Sequence, residues 1–134
     1  MRTPVQVCLS ILLSTTLASA LTISGTVTNV GESGDVYLAL VEDLSWDKEP
    51  VAGLILDSAD AVNGRLAFTF TDIEPGSYGI MVFQDEDGDG DLDTGLFGPT
   101  EPWGNYRESR PIPHLAEILF PLKEHLSGIV IELD

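Results

Sequence analysis

Cysteine is almost missing from this chain: Cys8 is the only one in 134 residues. Beyond that position there can be no disulfide, no thiolate nucleophile and no cysteine-ligated metal. Basic side chains are nearly as scarce, six Lys and Arg against 22 Asp and Glu, for a formal net charge of −16. A cationic face for nucleic acid or an anionic membrane is therefore excluded. His114 and His125 are the only histidines, and neither stands in a metal-ligand or nucleophile pattern. No G-x-S-x-G elbow, phosphate-binding glycine loop or H-E-x-x-H occurs. Helical periodicity is absent too, and no apolar run reaches the ~20 residues that span a bilayer.

The N-terminus reads as an export signal. Arg2 supplies a positive start, Val5 to Leu17 an apolar stretch, and Ala18-Ser19-Ala20 a small-x-small cleavage site. We expect residues 1–20 to be a signal peptide and residues 21–134 a single domain, periplasmic or extracellular, with no transmembrane segment after cleavage. Cys8 lies inside the apolar region with no small residue before it, so it does not mark a lipoprotein. Loss of Arg2 takes the net charge to −17. A domain of this size without disulfides relies on its hydrophobic core, an ion, or both.

Period-two alternation dominates what remains, and predicts an all-β fold. Strands are expected at 21–27, 36–41, 51–56, 66–70, 78–83, 118–122 and 129–133. Asn63-Gly64 is a strong two-residue hairpin signal. Glu74-Pro75-Gly76-Ser77 predicts a tight turn in which Gly76 takes a positive φ. Residues 42–50, with Trp46, and 94–113, rich in Gly and Pro, read as loops. Seven short strands separated by turn signals suggest a β-sandwich.

Between two of those strands lies Asp85-Glu86-Asp87-Gly88-Asp89-Gly90-Asp91-Leu92-Asp93, six acids in nine positions. Such crowding of like charge in one turn is unfavourable without a cation. Ca2+ takes six to eight oxygen ligands, and a D-x-D-x-D-G turn wraps several onto one ion. With Asp85 at position one, Asp87 and Asp89 stand at three and five, Gly90 at six, Asp91 at seven through its carbonyl and Asp93 at nine. Leu92 would anchor the loop. Position twelve is Leu96, where an EF-hand needs a bidentate Glu, and the flanking segment is a strand. The expected object is thus a calcium-type loop grafted on a strand, completed by Glu101, Glu108, Asp72 or water.

Phe97, Trp103 and Tyr106 sit in the following Gly/Pro-rich segment. They could bind a sugar or peptide, or fold back to cap the sandwich. Trp46 carries the same ambiguity. Clustered carboxylates and two histidines are thin ground for a hydrolase, because no nucleophile and base converge.

Ile73 to Asp85, followed by Asp87-Gly88-Asp89-Gly90-Asp91-Leu92-Asp93-Thr94, resembles a family of secreted bacterial domains of unknown function. Its signature is P-G-x-Y-A-V-x-V-F-H-D-x-N-x-N-G-x-L-D-T-N, and Leu96 to Gly104 is similar to its L-F-G-x-P-x-E-x-Y-G segment. The opening strands 21–27 and 36–40 fit as well. The resemblance implies a small prealbumin-like or Ig-like β-sandwich and no established activity. Gln84 replaces the usual His, which removes histidine chemistry there, while Asp87 and Asp89 replace Asn and add charge for a cation. The expectation is a non-enzymatic, monomeric, calcium-binding scaffold or binding module with an unidentified protein or glycan partner. The alternative is a carbohydrate- or peptide-binding module working through the aromatic loop 96–106.

Overall fold

Alternating apolar residues become alternating burial. In the first strand, β1 (Leu21–Thr28), Leu21, Ile23 and Val27 face inward. In β2 (Asp35–Val41) the inward positions are Val36, Leu38 and Leu40, and in β4 (Leu66–Ile73) they are Leu66, Phe68 and Phe70. The structure is a computed structural model describing residues 20–42, 49–88, 101–107 and 118–134, with the backbone of Thr94–Gly95 and Gly98–Pro99. The expected signal peptide, apart from Ala20, and Trp46 lie outside the described residues.

The remaining strands are β3 (Ala52–Leu56), β5 (Gly76–Asp85), β6 (Thr94–Gly95), β7 (Gly98–Pro99), β8 (Trp103–Asn105), β9 (Phe120–Leu122) and β10 (Leu126–Glu132). Each of the seven expected strands has a counterpart, but three short ones, β6 to β8, arise in the stretch expected to be loop. Ten strand segments therefore stand among the described residues. Gly and Pro weaken a propensity reading of β6 to β8, and only pairing partners reveal them. One 3₁₀ turn, Ser58–Asp60, follows β3, with Asp57 accepting from the Ala59 amide. Among the described residues no helix is long and apolar enough to cross a membrane.

Two sheets share one core. The three-stranded sheet runs β10-β1-β4, with β1 parallel to β10 and antiparallel to β4. The larger sheet runs β3-β2-β5-β8, all antiparallel neighbours, and β9 also pairs with β5. Ile23, Phe70 and Ile131 from the first meet Leu40, Ile80 and Leu122 from the second in a continuous apolar cluster. Asn63 (φ 55°) and Gly64 (φ 75°) both occupy the left-handed region between bridged Val62 and Arg65, as a two-residue turn of this type requires.

The chain passes from one sheet to the other at Glu74-Pro75. Here the sequence expectation is corrected. Gly76 has no positive φ; the left-handed residue is Asp72 (φ 58°). Space is what Gly76 provides, since a Cβ there would sit 3.2–3.3 Å from the ring of Tyr78. That ring is buried, and its hydroxyl donates back to the Glu74 carbonyl at 2.6 Å, locking the corner.

Candidate metal centre

The site grows from the pairing of β5 with β8. Phe83 opposes Trp103, Val82 opposes Gly104, and the Gln84 amide extends the ladder by donating to the Pro102 carbonyl at 2.9 Å. One step further brings Asp85, the last residue of β5, beside Glu101. The Glu101 carboxylate then gathers the start of the acidic turn: its Oε2 accepts from the amides of Glu86 (2.7 Å) and Asp87 (3.3 Å). Asp85 Oδ1 accepts from the Gly88 amide at 3.1 Å, and Gly88 takes the φ of +75° that closes this turn. Asp85, Asp87 and Glu101 each bring one carboxylate oxygen within 4.8 Å of the others.

Asp85 and Glu101 are only 3% and 5% exposed, whereas Asp87 faces solvent. Two ionised carboxylates at such a separation repel by roughly 3–4 kcal/mol at an effective dielectric of about 20. The three amides oppose part of that, and a cation would oppose more. Oxygens on opposite sides of one Ca2+ lie up to about 5 Å apart, given metal–oxygen distances of 2.3–2.6 Å. The donor set, hard oxygens without sulfur or imidazole, fits the same ion. The residues present therefore fit a hard divalent cation.

A second apolar patch lies on the outer face of the larger sheet. In the larger sheet Gly79, Phe83 and Asp85 share the face turned away from the core, because Ile80, Val82 and Gln84 point into it. On that outer face a Cβ at Gly79 would lie 3.1 Å from Ile118 Cδ1 and 3.6 Å from Val41 Cγ2. Ile118, Val41 and Trp103 are buried yet belong to none of the main core, and Ile118 lies over this face at Gly79.

Behind the carboxylates stands Gln84, fully buried. Its Oε1 accepts from the Gly31 amide at 2.7 Å, and its Nε2 faces the carbonyls of Gly31, Ser33 and Gly34 at 3.0, 3.0 and 3.1 Å. This clamps the β1–β2 turn to the end of β5. Gly34, at φ +101°, packs directly on the Asp85 carbonyl, where no side chain fits. Asn29 Nδ2 donates to the Leu133 carbonyl at 2.8 Å, tying the same turn to the end of β10.

Of the expected ligands, Asp85 and Asp87 are brought together. Asp89, Asp91 and Asp93 lie outside the described residues, as do Gly90, Leu92, Leu96 and Glu108. Glu101 completes the cluster, while Asp72 precedes the corner at the other end of β5. The signal for Glu101 was the alternation Glu101, Trp103, Asn105, masked by Pro102 and Gly104. Trp103 is buried and Tyr106 packs edge-on against Phe120 at 5.1 Å; Phe97 is outside the described residues. His125 is exposed, its Nδ1 accepting from the Thr22 amide at 3.1 Å; His114 is outside the described residues.

Comparison with known proteins adds one relationship. No curated protein matches the chain, and no solved structure does. Residues 26–126 match the model of the family described as "Uncharacterized protein conserved in bacteria (DUF2141)". That match spans most of the sequence, and the chain belongs to this uncharacterised bacterial family.

Proposed function

We propose that this protein is an exported, non-enzymatic, calcium-binding β-sandwich module that scaffolds or presents a binding surface. The observation that carries the reading is the convergence of Asp85, Asp87 and Glu101 within 4.8 Å at the junction of β5, β8 and the acidic turn. Asp85 ends β5 and Glu101 stands two residues before its partner β8, next to the Gln84–Pro102 bond, so the pairing of these strands brings the two buried carboxylates close. Asp89, Asp91 and Asp93 follow directly in sequence and supply further oxygens in this reading. Export rests on the pattern of residues 1–20. Ig-like or prealbumin-like kinship is part of the same proposal. It is supported by the parallel closure of β1 on β10 and by the Tyr78 hydroxyl bonded back to Glu74, a corner found in Ig-type sandwiches.

Calcium at such an extracellular site binds with a Kd on the order of 10⁻⁴–10⁻³ M. At ten times Kd the stabilisation is about 1.4 kcal/mol. Calorimetric titration with calcium, with magnesium as control and thermal melts alongside, tests the reading on the wild type and Glu101→Gln. The glutamine retains an oxygen for the Glu86 and Asp87 amides but loses the charge. Melting without calcium no lower than that of the wild type, because a repulsive charge is removed, with calcium affinity at least tenfold weaker, is the expected pattern. Absence of calcium binding by the wild type at several millimolar would sink the proposal.

A further inference from the structure

The larger sheet ends in an edge that nothing among the described residues covers. β3 pairs with β2 alone, in unbroken register from Val36↔Leu56 to Leu40↔Ala52. From Pro50 to Leu56 the strip Pro-Val-Ala-Gly-Leu-Ile-Leu carries no charge. Val51 and Ile55, on its outer face, are 46% and 63% exposed, and Val62 just beyond the 3₁₀ turn is 68% exposed. These are three of the four large apolar side chains exposed among the described residues; the fourth is Val130. Ala52, Leu54 and Leu56 face the other way and are only half-buried at the rim of the core. Natural edge strands are normally guarded by lysine, internal proline, a bulge or a covering element. Within β3 itself none of the first three is present.

We propose that the β3 edge is a docking site for an extended, lysine- or arginine-bearing segment of a partner protein, which adds as one more strand. Charge selects this occupant. Glu49 precedes the strip, Asp57 and Asp60 follow it, and all three are exposed. Two copies pairing antiparallel through β3 would set Glu49 of one beside Asp57 of the other at both ends, under a net charge of −16 each. A cationic strand converts both contacts into attractions while its backbone satisfies the free edge. Its apolar side chains have a continuation to meet. Ile55, Tyr37 and Phe83 are successive cross-strand partners on the outer face, and the last two rings stack at 5.1 Å. The proposal is independent of metal binding, because β2 separates β3 from β5.

The test uses amide exchange and chemical shifts of the purified, isotope-labelled protein. The probe is a short peptide of alternating valine and threonine capped by two lysines at each end, compared with its glutamate-capped counterpart. Saturable protection confined to residues 52–56, weakening with salt and at least about tenfold stronger for the lysine-capped peptide, is expected. Ile55→Lys, at an exposed position, should abolish it while the fold persists. No protection of β3 amides at millimolar peptide, or equal binding of the two peptides, overturns the proposal. So does a concentration-dependent dimer that Ile55→Lys dissociates, because the edge then belongs to a second copy of the chain.

Discussion

Replacing Gln84 by methionine removes a buried amide while keeping its length and nearly its volume. The wild-type amide has one oxygen and two N–H groups, and these serve the Gly31 amide and the carbonyls of Gly31, Ser33 and Gly34. Three hydrogens are thus shared across four contacts, for three effective bonds. A net 0.5–1.5 kcal/mol for each gives about 2–4 kcal/mol in total. Residues 31–33 are exposed, so water recovers part of the loss and holds it within that range. For a domain of this size the melting temperature should fall by roughly 10–20 °C. Urea denaturation should show a lower midpoint with an unchanged slope. Gln84→Glu offers a control of opposite logic. A carboxylate there faces three carbonyl oxygens, so its folded pKa is raised above the unfolded value. Its stability is then greatest at acid pH and is lost as pH rises. Melting of Gln84→Met within about 1 °C of the wild type would refute the clamp.

Tyr78→Phe should cost about 1 kcal/mol through loss of the bond to the Glu74 carbonyl, measured by urea denaturation at neutral pH. Burial first, then the charges of Glu42 and Glu74, push the Tyr78 pKa above its ordinary 10.0. Its contribution is therefore complete below pH 10.0 and is lost as pH rises through the folded value. The phenylalanine variant should show a smaller alkaline decline, and parallel curves for the two proteins would contradict this. Gly34→Ala must carry a Cβ at φ +101° into the Asp85 carbonyl. A loss of more than about 2 kcal/mol is expected, together with weaker calcium binding, by melting and calorimetry on one sample.

Local pattern carried much of the fold. The alternation of Leu21, Ile23 and Val27, or of Leu66, Phe68 and Phe70, names both the strand and its buried face. Asn63-Gly64 names its own turn, because both residues tolerate positive φ. Long-range pairing was not legible. Nothing near Thr26 says that its parallel neighbour is Val130, and the sequence left Glu101 as one of several candidates for the place beside Asp85. Gln84 shows the limit most clearly. As a sequence feature it was only the absence of a histidine; its partners lie some fifty residues earlier, in a turn brought there by the folding of β2 onto β5. The closeness of Asp85 and Asp87 was legible because spacing within one turn is a local property.

The parallel pairing of β1 with β10 also dictates when the protein can become itself. Thr22 meets His125 across 103 positions, and the Leu133 amide closes on Thr28. As the polypeptide is synthesised, β1 can find β4 early, but Ile129, Ile131 and Leu133 are made only after β2 to β9. The sandwich cannot close before them. Folding dominated by such distant pairings takes milliseconds to seconds. Cleavage ahead of β10 by a protease should therefore collapse the whole domain rather than trim it.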